Sequence, residues 1–170
     1  HMNPATIVVN LLVGILNLTG AFVAVVGMHR YAEYGSVYIL MLLILIWAAD
    51  SAAYFAGKAF GKHKLAANVS PGKTWEGVAG GILATSLIAY IIGIYLKLEI
   101  PLNWYFVIIA VVTVSFSIVG DLIESLFKRR AGVKDSSQLL PGHGGILDRI
   151  DSLLSAAPLF LLGLLMAGVK

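Results

Sequence analysis

Residues 36–56 read SVYILMLLILIWAADSAAYFA. No charge appears before Asp50, and the run is long enough to cross the roughly 30 Å of hydrocarbon in a bilayer as a helix. A carboxylate at that depth costs roughly 2.5–3.5 kcal/mol on insertion scales. Asp50 is therefore either a protonated or hydrogen-bonded tie between two helices or part of the wall of a polar cavity, which Ser51 and Tyr54 would share. The run sets the fold class, and its one acid opens the question of function.

The rest of the chain extends the first half of that pattern. Of 170 residues, 59% are hydrophobic and 12% charged, against about 25% charged in a soluble domain. One globular core cannot hide that much apolar surface, so lipid is the expected solvent. The chain has no cysteine, which excludes disulfides and thiolate metal sites. His1-Met2 reads as a cloning scar, leaving residues 3–170 as a single membrane domain. Five runs are long enough to span: 4–28, 36–56, 78–96, 102–122 and 150–169. None has the alternation of a barrel strand, and the backbone must satisfy itself in lipid. The expected fold is an all-α integral membrane protein of about five transmembrane helices, with two polar connections forming a site.

Basic residues orient these spans. The connection between spans two and three carries Lys58, Lys62, Lys64 and Lys73; that between spans four and five carries Lys128, Arg129, Arg130, Lys134 and Arg149. Five spans place both connections on one side, expected to be cytoplasmic, leaving Arg30, Lys97 and Lys170 opposite. Trp104 and Tyr105 suit the outer interfacial belt and Trp75 the inner one. Ala49, Ala53, Gly57 and Gly61 recur every four residues, as do Gly77 and Gly81. Small residues at that spacing predict close helix packing.

Three further stretches carry chemistry. In KLAANVSPGKTWEG (residues 64–77), Gly72-Lys73-Thr74 invites a P-loop reading, but Ala67 stands where that motif needs glycine. What remains is Ser70, Lys73 and Thr74 on a Pro-Gly turn, either an ordinary basic connection or a set of anion donors. In SIVGDLIESLFKRR, Asp121, Glu124 and Ser125 share one helix face. Two acids at a helix C-terminus oppose the dipole and need a cation, either Lys128 at i+4 from Glu124 or a divalent metal. Asp148 and Asp151 open the last run. They are helix caps, or they join Asp121 and Glu124 as hard oxygen ligands for Mg²⁺. His143, in the glycine-rich PGHGG turn beside them, is a phosphate contact, a cap or a ligand. Carboxylates for a metal and cations for phosphates are the equipment of phosphoryl or nucleotidyl transfer. The reacting groups would meet at a membrane surface, which makes a phospholipid substrate plausible.

The stretch SLFKRRAGVKDSSQLLPGHGGILDRID, residues 125–151, fills without a gap a pattern S-x-φ-K-R-x4-K-D-x-S-x2-φ-P-x-H-G-G-φ-x-D-R-φ-D, with φ apolar. It resembles the signature of the phosphatidate cytidylyltransferases. ADSAAYFAGKAFGKHKLAANVSPGKTWEG, residues 49–77, looks like the upstream segment of that family, and the likeness covers about residues 47–158. The resemblance implies conversion of CTP and phosphatidic acid to CDP-diacylglycerol and pyrophosphate, with Mg²⁺. Two metal ions are reasonable for three or four acids, with a monovalent ion such as K⁺ allowed in one position. It implies metal-binding roles for Asp121, Asp148 and Asp151, with Glu124 added from the helix face. The basic signature residues are Lys128, Arg129, Lys134 and Arg149, of which Lys134 is the expected catalytic cation. Asp50, Ser70, Lys73, Thr74 and His143 would complete the substrate and phosphate contacts. It also implies a homodimer in the bacterial inner membrane, its active site facing the cytoplasm, with no nucleic-acid partner. Bacterial members are longer, so residues 3–170 are expected to be the C-terminal catalytic portion of such a chain. Two rivals make different predictions. A CTP-dependent polyprenol kinase would release CDP, and a transporter or channel using Asp50 would pass ions without needing the acid cluster.

Overall fold

The computed structural model describes residues 4–31, 35–97, 100–133 and 147–168. It contains helices α1 (Pro4–Tyr31) and α2 (Gly35–Phe60), strands β1 (Lys64–Ala66) and β2 (Ser70–Thr74), and helices α3 (Trp75–Tyr95), α4 (Ile100–Arg130) and α5 (Leu147–Met166). The chain is an all-α integral membrane protein carrying a small hairpin. Helices α1 to α4 are long and apolar enough to cross a bilayer, and α5 is shorter, with its apolar part over Ile150–Met166. Large apolar side chains such as Leu16, Phe22, Leu83 and Trp104 stay exposed on the outside, as expected where hydrocarbon is the solvent.

Helix α4 runs past its apolar stretch and takes Lys128, Arg129 and Arg130 into its last turn. The sequence reading began the connection there. The helix dipole explains the extension, since cations are stabilising at a C-terminus. The end is a Schellman motif: Gly132 has φ 72°, Val133 N–H donates to the Lys128 carbonyl (3.0 Å) and Gly132 N–H to that of Arg129 (3.1 Å).

The connection after α2 is a β-hairpin that the sequence did not announce. Lys64 faces Thr74 and Ala66 faces Ser70, with an irregular register between them. Pro71-Gly72, read from sequence as the turn, lies inside β2, and the chain reverses at residues 67–69 instead. There Val69 N–H donates to the Ala66 carbonyl at 3.1 Å. Proline lacks a donor, so within a strand it is confined to edges and bulges. A two-stranded ribbon with a register shift offers both.

Helices α2 and α3 pack through the small residues picked out by their spacing. A Cβ at Gly81 would stand 3.1 Å from the Ala49 carbonyl oxygen, and one at Gly77 would stand 2.8 Å from that of Ala53. The helix backbones touch, and only glycine leaves room. Away from the hairpin, Met28 of α1, Leu42 and Leu45 of α2, Phe106 of α4 and Phe160 of α5 form the buried core. The Phe106 and Phe160 rings meet edge to face at 6.2 Å.

Gly81→Leu is expected to destabilise the folded protein by about 1–3 kcal/mol through overpacking. Gly14, whose Cβ would meet nothing within 4 Å, provides the control, and Gly14→Ala should leave the melting temperature in detergent unchanged or slightly raised.

Candidate functional site

The hairpin is fixed to α3 by backbone chemistry. Thr74 is the N-cap of α3, with its hydroxyl accepting from Gly77 N–H at 3.1 Å. Trp75 N–H donates to the His63 carbonyl (3.0 Å). The Glu76 carboxylate accepts from His63 N–H (3.3 Å) and contacts His63 Nδ1 at 2.7 Å. Lys64 Nζ donates to the Pro71 carbonyl at 2.8 Å. These contacts hold β2 against the start of α3 and direct Lys73 toward α4.

There the Lys73 ammonium pairs with the Asp121 carboxylate, 48 residues away, with each side chain about a quarter exposed. Ser125 Oγ donates to the other Asp121 oxygen at 3.3 Å. One turn on, Lys128 pairs with Glu124 at 3.3 Å. Arg129 Nε donates to the Val69 carbonyl at the hairpin turn (3.4 Å), so α4 holds the hairpin at two points. On α5, Asp151 Oδ1 accepts from Ser152 N–H at 2.6 Å. Asp50, Asp121 and Asp151 lie near enough for their charges to act on one another, and Lys73 acts on both Asp50 and Asp151.

Two cavities meet at Asp50. The first, about 340 Å³, is lined by Asp50, Ala53, Tyr54, Gly57 and Lys58 of α2, by Ser70, Gly72, Lys73 and Thr74 of the hairpin, and by Gly77, Val78 and Ile118. The second, about 500 Å³, is lined by Leu43, Ile46, Trp47 and Asp50 of α2, by Asp121 and Lys128 of α4, and by Ile150, Asp151, Ser152 and Leu153 of α5. On α2 the first cavity lies wholly on the hairpin side of Asp50 and the second wholly on the other side. Asp50 is thus an open cavity wall rather than a sealed tie between helices. The Lys73–Asp121 pair joins the cavities, since Lys73 lines one and Asp121 the other.

The structure brings together Asp50, Ser70, Lys73 and Thr74 around the first cavity, and Asp50, Asp121, Lys128 and Asp151 around the second. Glu124 joins through its pair with Lys128, and Arg129 reaches the hairpin turn. Ser51 lines neither cavity. Lys134 and His143 lie outside the described residues. Asp148 and Arg149 fall in the first turn of α5, but their side chains lie outside the described set.

Of the expected carboxylate cluster, Asp121 and Asp151 line the second cavity, and the Asp148 side chain lies outside the described residues. Among the described residues, no three carboxylates or imidazoles are gathered closely enough to hold one metal ion. Lys73 and Ser125 take the oxygens of Asp121, and Lys128 binds Glu124. The donor chemistry still fits a hard divalent cation. Among the described residues, Asp50, Asp121 and Asp151 line the second cavity with Lys128, and Lys73 and Glu124 join it through their pairs with Asp121 and Lys128. Those six side chains carry a formal excess of two negative charges, presented by hard oxygens.

Trp47, Lys58 and Ser152 also line the cavities and were not among the expected site residues, Lys58 having been read only as an orienting charge. Helical spacing was the signal for the first two: Leu43, Ile46, Trp47, Asp50, Ala53, Tyr54, Gly57 and Lys58 follow one stripe of α2. Lys58 Nζ lies 5.9 Å from the Tyr54 ring centroid.

Comparison with known proteins bears on the same residues. The family model described as "Cytidylyltransferase family" matches residues 4–166. A protein of Haemophilus influenzae named phosphatidate cytidylyltransferase is 54% identical over 130 residues, covering 75% of this chain and 45% of the relative. Those of the same name from Pseudomonas aeruginosa and Bacillus subtilis are 52% identical over 122 residues and 42% over 159, covering 72% and 89% of this chain and 45% and 59% of the relatives. The chain spans about half the length of the curated relatives it matches. The match takes in all five helices, the hairpin and both cavities, and on it the chain belongs to the cytidylyltransferase family.

Proposed function

We propose that this chain transfers the cytidylyl group of CTP to phosphatidic acid, giving CDP-diacylglycerol and pyrophosphate. One observation carries the reading: a cavity on the hairpin side and a cavity on the apolar side meet at Asp50, over carboxylates and ammoniums suited to phosphate chemistry. The relatives' shared name supplies the two substrates.

The phosphate of phosphatidic acid is largely ionised at neutral pH and is itself the nucleophile. One of its oxygens attacks the α-phosphorus of CTP in line. The new P–O bond forms as the bond from the α-phosphorus to the α,β-bridging oxygen breaks, and pyrophosphate leaves with that oxygen and its electron pair. Neither a serine or cysteine nucleophile nor a strong base is required. The chain's task is to position two anions and neutralise them. Lys73 lines the hairpin-side cavity and reaches the other through its pair with Asp121, and Lys58, Ser70 and Thr74 stand beside the nucleotide on the hairpin side. Lys128 stands on the lipid side. Arg129, Lys134, His143 and Arg149 complete the cationic set that receives the pyrophosphate.

Mg²⁺ would be held by Asp121 and Asp151, with Asp148 and Glu124 as further ligands. Two ions are proposed, one position open to a monovalent ion such as K⁺. When bound, the metal polarises phosphate oxygens and lowers the charge between the two anions. The excess of basic residues on the hairpin side favours a cytoplasmic site, and the bacterial relatives favour the inner membrane. Homodimerisation is supported by the family resemblance.

With CTP labelled at the α-phosphate and phosphatidic acid in detergent, label is expected in the lipid and pyrophosphate in solution. Release of CDP would identify a kinase, and ion flux through liposomes without transfer would identify a transporter. Lys73→Ala and Asp121→Asn should each lower kcat/KM about 10²–10³-fold in protein that still folds. Unchanged turnover in folded Asp121→Asn would refute the site. EDTA should abolish turnover and added Mg²⁺ restore it, whereas activity insensitive to chelation would remove the metal from the mechanism.

A further inference from the structure

A third cavity lies away from Asp50, in a groove between α1 and α5. It measures about 510 Å³ and is lined by Phe22, Val23, Val26 and Arg30 of α1 and by Leu161 and Leu165 of α5. Leu161 and Leu165 follow Asp151 by ten and fourteen residues, about 15 and 21 Å along the helix. The groove therefore belongs to the opposite half of the membrane from the carboxylates. Gly27 forms its floor, where a Cβ would stand 2.9 Å from Leu161 Cδ2, so the two helices touch there. Phe22, Val23 and Leu165 stand exposed on either side.

We infer that this groove seats one acyl chain of an anionic phospholipid of that leaflet, with the lipid phosphate held by the Arg30 guanidinium. From Phe22 to Arg30 the wall runs about 12 Å along α1, against roughly 15 Å for half the hydrocarbon core. The apolar surface thus covers most of the depth of one leaflet and ends on a cation in the last turn of α1. The helix dipole accounts for a cation at that end; it does not account for an apolar channel that leads to it. A guanidinium matches phosphate oxygens in bidentate geometry. Among the described residues Arg30 forms no ion pair, and Glu33 lies outside them. A zwitterionic lipid brings its own ammonium to the phosphate and gains less from Arg30. The site is independent of nucleotidyl transfer and lies on the far side of the bundle from the residues assigned to it.

Native mass spectrometry of the intact chain, released from micelles holding phosphatidylglycerol or phosphatidylcholine of matched acyl chains, compares the two affinities. Phosphatidylglycerol should bind more tightly, and Arg30→Gln should lower that preference about fivefold, the loss expected for one basic contact at a lipid surface. Lys97→Gln, at a cation on the same end of the bundle that does not line the groove, should keep the wild-type preference. Val26→Trp, which fills the groove from an exposed position, should weaken binding of both lipids. Equal affinities in the wild type, or a preference that survives Arg30→Gln, would overturn the inference. Unchanged binding in Val26→Trp would place the lipid elsewhere and overturn it too. The chain has no cysteine, so Val23→Cys gives a unique handle in the same micelles. Efficient cross-linking of two copies through it would show that a second copy covers the groove, and the lipid assignment would fall.

Discussion

The ammonium of Lys73 on the carboxylate of Asp121 joins two parts of the chain that packing alone would leave side by side. Both groups are only about a quarter exposed, and removing one partner of such a pair leaves a poorly solvated charge behind. Much of the hairpin can be understood as the means of delivering Lys73. Thr74 caps α3 on one side of it, Glu76 and His63 close the base of the ribbon, and Arg129 holds the turn from α4. Without that delivery, Asp121 would oppose both the hydrocarbon and the dipole of its own helix.

The helices were legible because the bilayer writes its demand into composition: long runs without charge admit few other structures. Their ends were harder to read. Lys128 to Arg130 look like a connection to a hydropathy reading, yet α4 continues through them because the dipole rewards cations at that end. The hairpin was not legible at all. Ser70-Pro-Gly-Lys-Thr74 has neither alternation nor a β-branched run, so its extended form is imposed by what it packs against rather than by intrinsic preference. The fifth span was read over residues 150–169, and the apolar part of α5 begins at the same residue and runs over Ile150–Met166.

The candidate site was legible in its membership more than in its pairing. An acid inside an apolar run must find company, so Asp50, Asp121 and Asp151 could be expected to share one polar region, and they do. That Lys73 rather than a fourth acid would take the near side of Asp121 depends on a contact spanning 48 residues. No local spacing encodes such a contact. The stripe on α2 from Leu43 to Lys58 was visible in the sequence as periodicity. It became informative only once Asp50 proved to divide it into an apolar half and a polar half.

The contact between α2 and α3 has a mechanical consequence. With the Gly77 and Gly81 backbones seated directly against the Ala53 and Ala49 carbonyls, those two helices cannot slide past each other without collision. Together with the hairpin clamped to α3, they act as a fixed jaw. Helix α4 packs against α3, and at the hairpin end the Lys73–Asp121 and Arg129–Val69 contacts tie it to the ribbon as well. Ligand phosphates entering either cavity would therefore meet a rigid wall on the α2/α3 side and compete there for the Lys73 ammonium that Asp121 holds.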